Sequence, residues 1–121
     1  MPKLFPNGSY KDSFFNLPII ILTQVFFVND QEVIRAVVDY RGNVQGVGFR
    51  MTAVGQVQDA PLVGWVMNES DGSVRLEVEG SRREVDAFLK RVRRTLQERI
   101  EDEHVEYRDP LKKETSFSIR Y

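Results

Sequence analysis

The sequence predicts an α+β domain on a split βαβ plan: a mostly antiparallel sheet of four or five strands with two helices on one face. Three observations lead there. A β-branched apolar run, Val33 to Tyr40, passes through a glycine-rich loop into a stretch that can wind as a helix. Two strand-like runs follow, separated by the turn sequence Glu69-Ser70-Asp71-Gly72. The clearest helical pattern of the chain then precedes two more strand-like runs. At 121 residues, with 41% hydrophobic and 29% charged, the chain suits one domain with a core of moderate size.

Taken in order, the first strand is Val33-Ile34-Arg35-Ala36-Val37-Val38-Asp39-Tyr40 and the loop is Gly42-Asn43-Val44-Gln45-Gly46-Val47-Gly48-Phe49-Arg50. A helix is expected from Gly48 or Phe49 to Asp59, burying Phe49, Ala53, Val54 and Val57. Gly55 weakens it by about 1 kcal/mol relative to alanine, and Pro61 ends it. Val63 to Asn68 and Ser73 to Glu79 read as a hairpin, in which Trp65 packs into the core. In its second strand Val74, Leu76 and Val78 alternate with Arg75, Glu77 and Glu79, which predicts one buried face, one wet face and a sheet covered on one side only.

Ser81-Arg82-Arg83-Glu84 is a capping box, and Val85, Phe88, Leu89, Val92 and Leu96 follow at helical spacing. The opposite face carries Arg82, Arg83, Lys90, Arg91, Arg93, Arg94 and Arg99, interleaved with Glu84, Asp86 and Glu98, and reads as a solvated helix surface. Glu103 to Arg108 and Thr115 to Tyr121 complete the sheet, with Asp109-Pro110 breaking the chain between them. This succession is that of ferredoxin-like domains.

Residues 1–30 read as an N-terminal extension and residues 31–121 as the domain. Within the extension, Leu17 to Val28 is mostly apolar but far shorter than the roughly 20 residues needed to span a bilayer. As a signal peptide it would have only a weakly charged start and no small-residue cleavage site, so a cytoplasmic location is expected. Three readings stand for this segment: an extra strand, a flexible tail, or sequence upstream of the true start.

Seventeen basic residues against eighteen acidic ones leave a net charge of -1, so no bulk electrostatic footprint for nucleic acid or an anionic membrane is present. With no cysteine, thiol nucleophiles, disulfides and cysteine-ligated metals are excluded, and His104 is the only histidine, which excludes multi-histidine zinc sites. His104 itself reads as a surface residue. Chemistry must therefore rely on arginine, backbone amides, carboxylates and water.

The glycine-rich loop is where such chemistry fits. Glycines tolerate positive φ, so the amides of Gln45, Gly46, Val47, Gly48, Phe49 and Arg50 can turn inward, while the helix start adds free donors and its dipole. The Arg50 guanidinium can then close over a phosphate or carboxylate, and burial of Phe49 would fix its direction. An ordinary strand-to-helix turn beside a solvated arginine gives the same pattern. A Walker loop would end Gly-Lys-Ser/Thr and a dinucleotide fingerprint would place glycine at Met51, so neither is present. Asn68 likewise has two readings: a turn asparagine bonding its own backbone, or a polar group aimed at a ligand.

The string Gly42-x-Val44-Gln45-Gly46-Val47-Gly48-Phe49-Arg50, followed by Gly64-Trp65-Val66-Met67-Asn68 and Asp71-Gly72-Ser73-Val74, resembles the acylphosphatase family. The likeness runs from about residue 33 to 121 and includes the closing Phe117-Ser118-Ile119-Arg120-Tyr121. Pro61 stands where members commonly have glycine, and Asn43 where they carry a basic residue. The resemblance implies the same fold and hydrolysis of acyl phosphates, with the arginine matching Arg50 binding phosphate and the asparagine matching Asn68 positioning water. It also implies a small monomer without metal or organic cofactor, with inorganic phosphate as product and competitive inhibitor. Family domains begin just before the first strand, which favours the flexible-tail and upstream-of-start readings of the extension.

Two rival readings remain. One is an anion-binding module without turnover. The other is an RNA-binding domain of the same element order, for which Gly46-Val47-Gly48-Phe49 has a similar glycine-aromatic spacing but lies on the wrong element, since Ser73 to Glu79 holds no aromatic residue.

Overall fold

A computed structural model describes residues 29–121. All of the N-terminal extension but its last two residues lies outside the described residues. The elements are β1 (Val33–Gly42), α1 (Phe49–Gly55), β2 (Val63–Asn68), β3 (Val74–Ser81), α2 (Arg82–Thr95), β4 (Ile100–Arg108) and β5 (Phe117–Arg120). They form one sheet of order β4-β1-β3-β2-β5, antiparallel throughout except for the parallel β2–β5 pair.

The pleat sends Ala36, Val38 and Tyr40 of β1, Val66 of β2 and Val74, Leu76 and Val78 of β3 to one face, where they pack with Phe49 and Ala53 of α1 and Val85, Phe88, Leu89 and Val92 of α2. Ser81 caps this helix as expected, its hydroxyl accepting from the Glu84 amide at 3.2 Å. The turn before β1 satisfies two more free amides of this helix, with Arg82 N donating to Glu32 O at 2.9 Å and Arg83 N to Asp30 O at 3.0 Å.

Three expectations are corrected. The first helix stops at Gly55 rather than Asp59. Beyond it the chain continues in tight turns, Val57 N to Val54 O and Ala60 N to Val57 O, because glycine favours the helix poorly and Gln58 adopts φ 55°. Trp65 is buried, but on the sheet face away from the helices and outside the main core, with the Arg120 guanidinium 4.4 Å above its ring. Alternation along β2 sends Val66 to the helices and therefore Trp65 to the opposite side.

That second face is not wet. Arg35, Glu77 and Glu79 are 1%, 8% and 4% exposed. Arg35 donates to Glu77 at 2.7 Å, to Glu79 at 2.8 Å and to Glu114 at 2.8 and 3.3 Å. Residues 109–116 fold back over the sheet, and the Leu111 and Lys112 amides donate to the Glu79 carboxylate at 2.8 and 2.9 Å. The Arg35 cluster thus replaces solvent with charge-assisted hydrogen bonds. His104, in contrast, is exposed on β4, opposite Asp39 of β1.

Candidate active site

The loop between β1 and α1 is pinned at both ends. Val44 is fully buried, and Phe49 is buried with its ring centroid 5.0 Å from that of Tyr40 in β1. Between these anchors Gly46 and Gly48 take φ 75° and 78°, a left-handed conformation that glycine alone adopts without strain. Neither would bring a Cβ within 4 Å of another atom, so both have open space beside them.

The amides of Gly46, Val47 and Gly48 donate to no backbone carbonyl among the described residues. The first helical bond runs from Thr52 N to Gly48 O at 3.0 Å, so the amides of Phe49, Arg50 and Met51 have no carbonyl to bond within the helix. At seven residues, α1 aligns few peptide dipoles. The loop's anion-binding capacity therefore rests on individual donors and on Arg50 more than on a helix dipole.

Gly46, Gly48, Arg50 and Asn68 line one cleft of about 110 Å³, shared with Met51 and Tyr121. That is well below the roughly 300–1,000 Å³ of sites that enclose drug-sized organic ligands, and suits a small polyatomic ion. Arg50 enters from the start of α1, where its Nη1 donates to Arg120 O at a long 3.5 Å and its guanidinium lies 4.9 Å from the Tyr121 ring centroid. No carboxylate pairs with it among the described residues. Asn68, the last residue of β2, has a buried side-chain oxygen without a hydrogen-bond partner among the described residues.

Of the loop residues expected at the site, Gly46, Gly48, Phe49 and Arg50 line the cleft, whereas Gln45 and Val47 do not. Val47 is half-buried against the core. The Gln45 side chain turns to the β2–β3 hairpin, where its amide nitrogen donates to the carbonyls of Glu69 and Ser73, each at 2.7 Å. It thereby ties the glycine loop to the residue that follows Asn68.

Met51, Ile119 and Tyr121 also line the cleft, and reading the sequence did not single them out as site residues. The β2–β5 register pairs Met67 with Arg120, which brings Tyr121 to the level of Asn68. The closing string Phe117 to Tyr121 was the one sequence signal for Ile119 and Tyr121, and Met51 had none.

Residues 36–119 match the family model described as Acylphosphatase. The chain belongs to the acylphosphatase family. An acylphosphatase of Oceanobacillus iheyensis is 40% identical over 86 residues, 69% of this chain and 94% of its own, and one of Moorella thermoacetica is 42% identical over 89 residues, 73% and 95%. The crystal structure of acylphosphatase from Bacillus subtilis superposes with a TM-score of 0.65 at 29% identity, covering 73% of this chain and 99% of that one.

The family is one of hydrolases, and the ferredoxin-like α+β fold is shared with these structures. In this acylphosphatase domain no group of three or more His, Cys, Asp or Glu is placed to hold a metal ion among the described residues. No helix among them is long and apolar enough to cross a membrane.

Proposed function

We propose that this chain hydrolyses the carboxyl-phosphate bond of acyl phosphates, releasing a carboxylate and inorganic phosphate. The observation that carries the reading is the convergence of Arg50, Asn68, Gly46 and Gly48 on one small cleft. The Arg50 guanidinium and the amides of Gly46, Gly48, Phe49 and Arg50 hold the phosphoryl oxygens and stabilise the charge that builds on them. Asn68 Oδ1 accepts a hydrogen bond from the attacking water and aims it in line with the departing oxygen.

The P–O bond to the acyl oxygen breaks as the new P–O bond to water forms, and the water's proton passes to a phosphoryl oxygen of the substrate. The carboxylate leaves with the bonding electron pair. Carboxylic acids titrate near ~4, so this leaving group departs as a stable anion at neutral pH without a general acid. The same proposal has the protein working as a cytoplasmic monomer, without metal or organic cofactor, and inhibited competitively by inorganic phosphate.

The RNA-binding alternative finds no support in the fold. Sheets that stack bases need exposed aromatics, and the matching face here carries the Arg35 ion cluster under residues 109–116. The test is hydrolysis of benzoyl phosphate with EDTA present, by the wild type and by Arg50→Ala. A loss of at least ~10²-fold in the folded variant is expected, the scale of removing one preorganised donor. Asn68→Ala should lower kcat while keeping phosphate inhibition. A folded wild type that binds phosphate without turnover would instead identify an anion-binding module.

A further inference from the structure

The cleft is chemically two-sided. Its lining combines Arg50, Asn68 and the two glycines with Met51, Ile119 and Tyr121. Met51 is 71% exposed and Tyr121 95% exposed, so two large hydrophobic side chains of the surface stand on the rim of this one site. Arg50 is the only charged side chain in the lining, so no second cationic side chain is there to hold another anion. Its guanidinium lies beside the Tyr121 ring, so a phosphate bound to it shares the cleft with Tyr121 and Met51.

Resting on the acylphosphatase reading, we infer that the substrates of this site are acyl phosphates whose acyl group is apolar and carries no negative charge, with Met51 and Tyr121 as the side chains that select them. An apolar or aromatic acyl group gains by covering exposed hydrophobic surface. A carboxylate on the acyl group would be drawn against the same surface with no partner for its charge.

Benzoyl phosphate and 4-carboxybenzoyl phosphate, which share a ring and differ by one carboxylate, provide the test. The wild type should turn over the first with a kcat/KM about fivefold higher, a modest ratio because the rim is open to solvent. Met51→Lys supplies the missing cation and should narrow or reverse the ratio. Tyr121→Ser should lower kcat/KM for benzoyl phosphate relative to acetyl phosphate, and Tyr121→Leu should restore that balance. Both positions are exposed, so these substitutions leave the fold intact.

Equal kcat/KM for the two benzoyl substrates, or a ratio that Met51→Lys does not move, would overturn the inference and leave the acylphosphatase reading standing. No turnover of any of the three by wild type would overturn both.

Discussion

Replacing Gln45 by methionine keeps the length of the side chain and removes both donors that join the glycine loop to the β2–β3 hairpin. Neither accepting carbonyl is orphaned. Ser73 O still accepts from Glu69 N at 2.9 Å, and Glu69 O from Gly72 N at 3.2 Å. The loss is therefore that of two modest hydrogen bonds, about 1–2 kcal/mol, without the penalty of an unsatisfied group. For a domain of this size each kcal/mol lowers Tm by roughly 4–8 °C, which thermal unfolding resolves. The kinetic effect should be larger than the stability effect. Asn68 precedes Glu69 directly, and a displacement of ~1 Å between a positioned water and the phosphate it attacks can lower the rate by about 10²-fold. The expected result is a fall in kcat of roughly 10- to 100-fold, with the inhibition constant of inorganic phosphate within about threefold of wild type because Arg50 and the glycines remain. A lower Tm with kcat intact would refute the reasoning, since Gln45 would then support the fold without aligning the site.

Other perturbations test the loop and the ion cluster. Gly48→Ala should reduce stability by only about 1–2 kcal/mol, the strain of a left-handed alanine, because its Cβ meets nothing within 4 Å. It should nevertheless weaken phosphate binding at least tenfold, roughly the effect of disturbing one charge-stabilising donor. Phosphate affinity unchanged in the calorimeter would remove the loop amides from the site. Arg35→Met should cost about 3–5 kcal/mol at neutral pH, because it leaves buried carboxylates without their shared cation. Burial pushes the Glu77 and Glu79 pKa values up, but hydrogen bonds from Arg35 and Arg75 to Glu77, and from Leu111, Arg35 and Lys112 to Glu79, outweigh it and hold both below their ordinary 4.5. These depressed values give the wild type stability that is present above pH 4.5 and lost as the pH falls through the folded values. Without Arg35 that contribution shrinks, so the gap between variant and wild type should narrow on acidification. Urea titrations at neutral pH and at pH near ~4 measure it, and a gap independent of pH would refute the role assigned to the cluster.

The parts of this fold that repeat along the chain were legible in the sequence. The turn signal Glu69 to Gly72 located the hairpin of β2 and β3, alternation marked the two faces of β3, and Ser81 with Glu84 located the start of α2 to the residue, because these signals lie within a few positions of what they determine. The first helix was overextended because Pro61 is a strong stop signal whereas Gly55 is a weak one, and which prevails depends on packing. The ionic face was misread for a different reason. Alternation along β3 shows that Glu77 and Glu79 point away from the helices, but says nothing about what covers them. The covering segment reaches Arg35 through Glu114, 79 positions away, and no local pattern records that contact. At the site, the glycines, Arg50 and Asn68 were legible as residue types, whereas the turn of Gln45 toward the hairpin depends on carbonyls that carry no sequence signature.

A loop rich in glycine loses more backbone entropy on ordering than any other composition, so a site made of its amides is preorganised only if something else holds it still. Three attachments do this. Val44 and Phe49 bury its two ends, Gln45 binds its middle to the β2–β3 turn, and β5 carries Arg120 O and the Tyr121 ring to Arg50. The third attachment reaches further: the Arg120 side chain lies over Trp65 and stands 3.9 Å from Glu114, which in turn binds Arg35. The buried charges behind the sheet are thus connected through one residue to the arginine in front of it. This connection gives the cluster a role at the short edge strand: β5 has only four residues to hold it, and Glu114, just before it, ties it to Arg35.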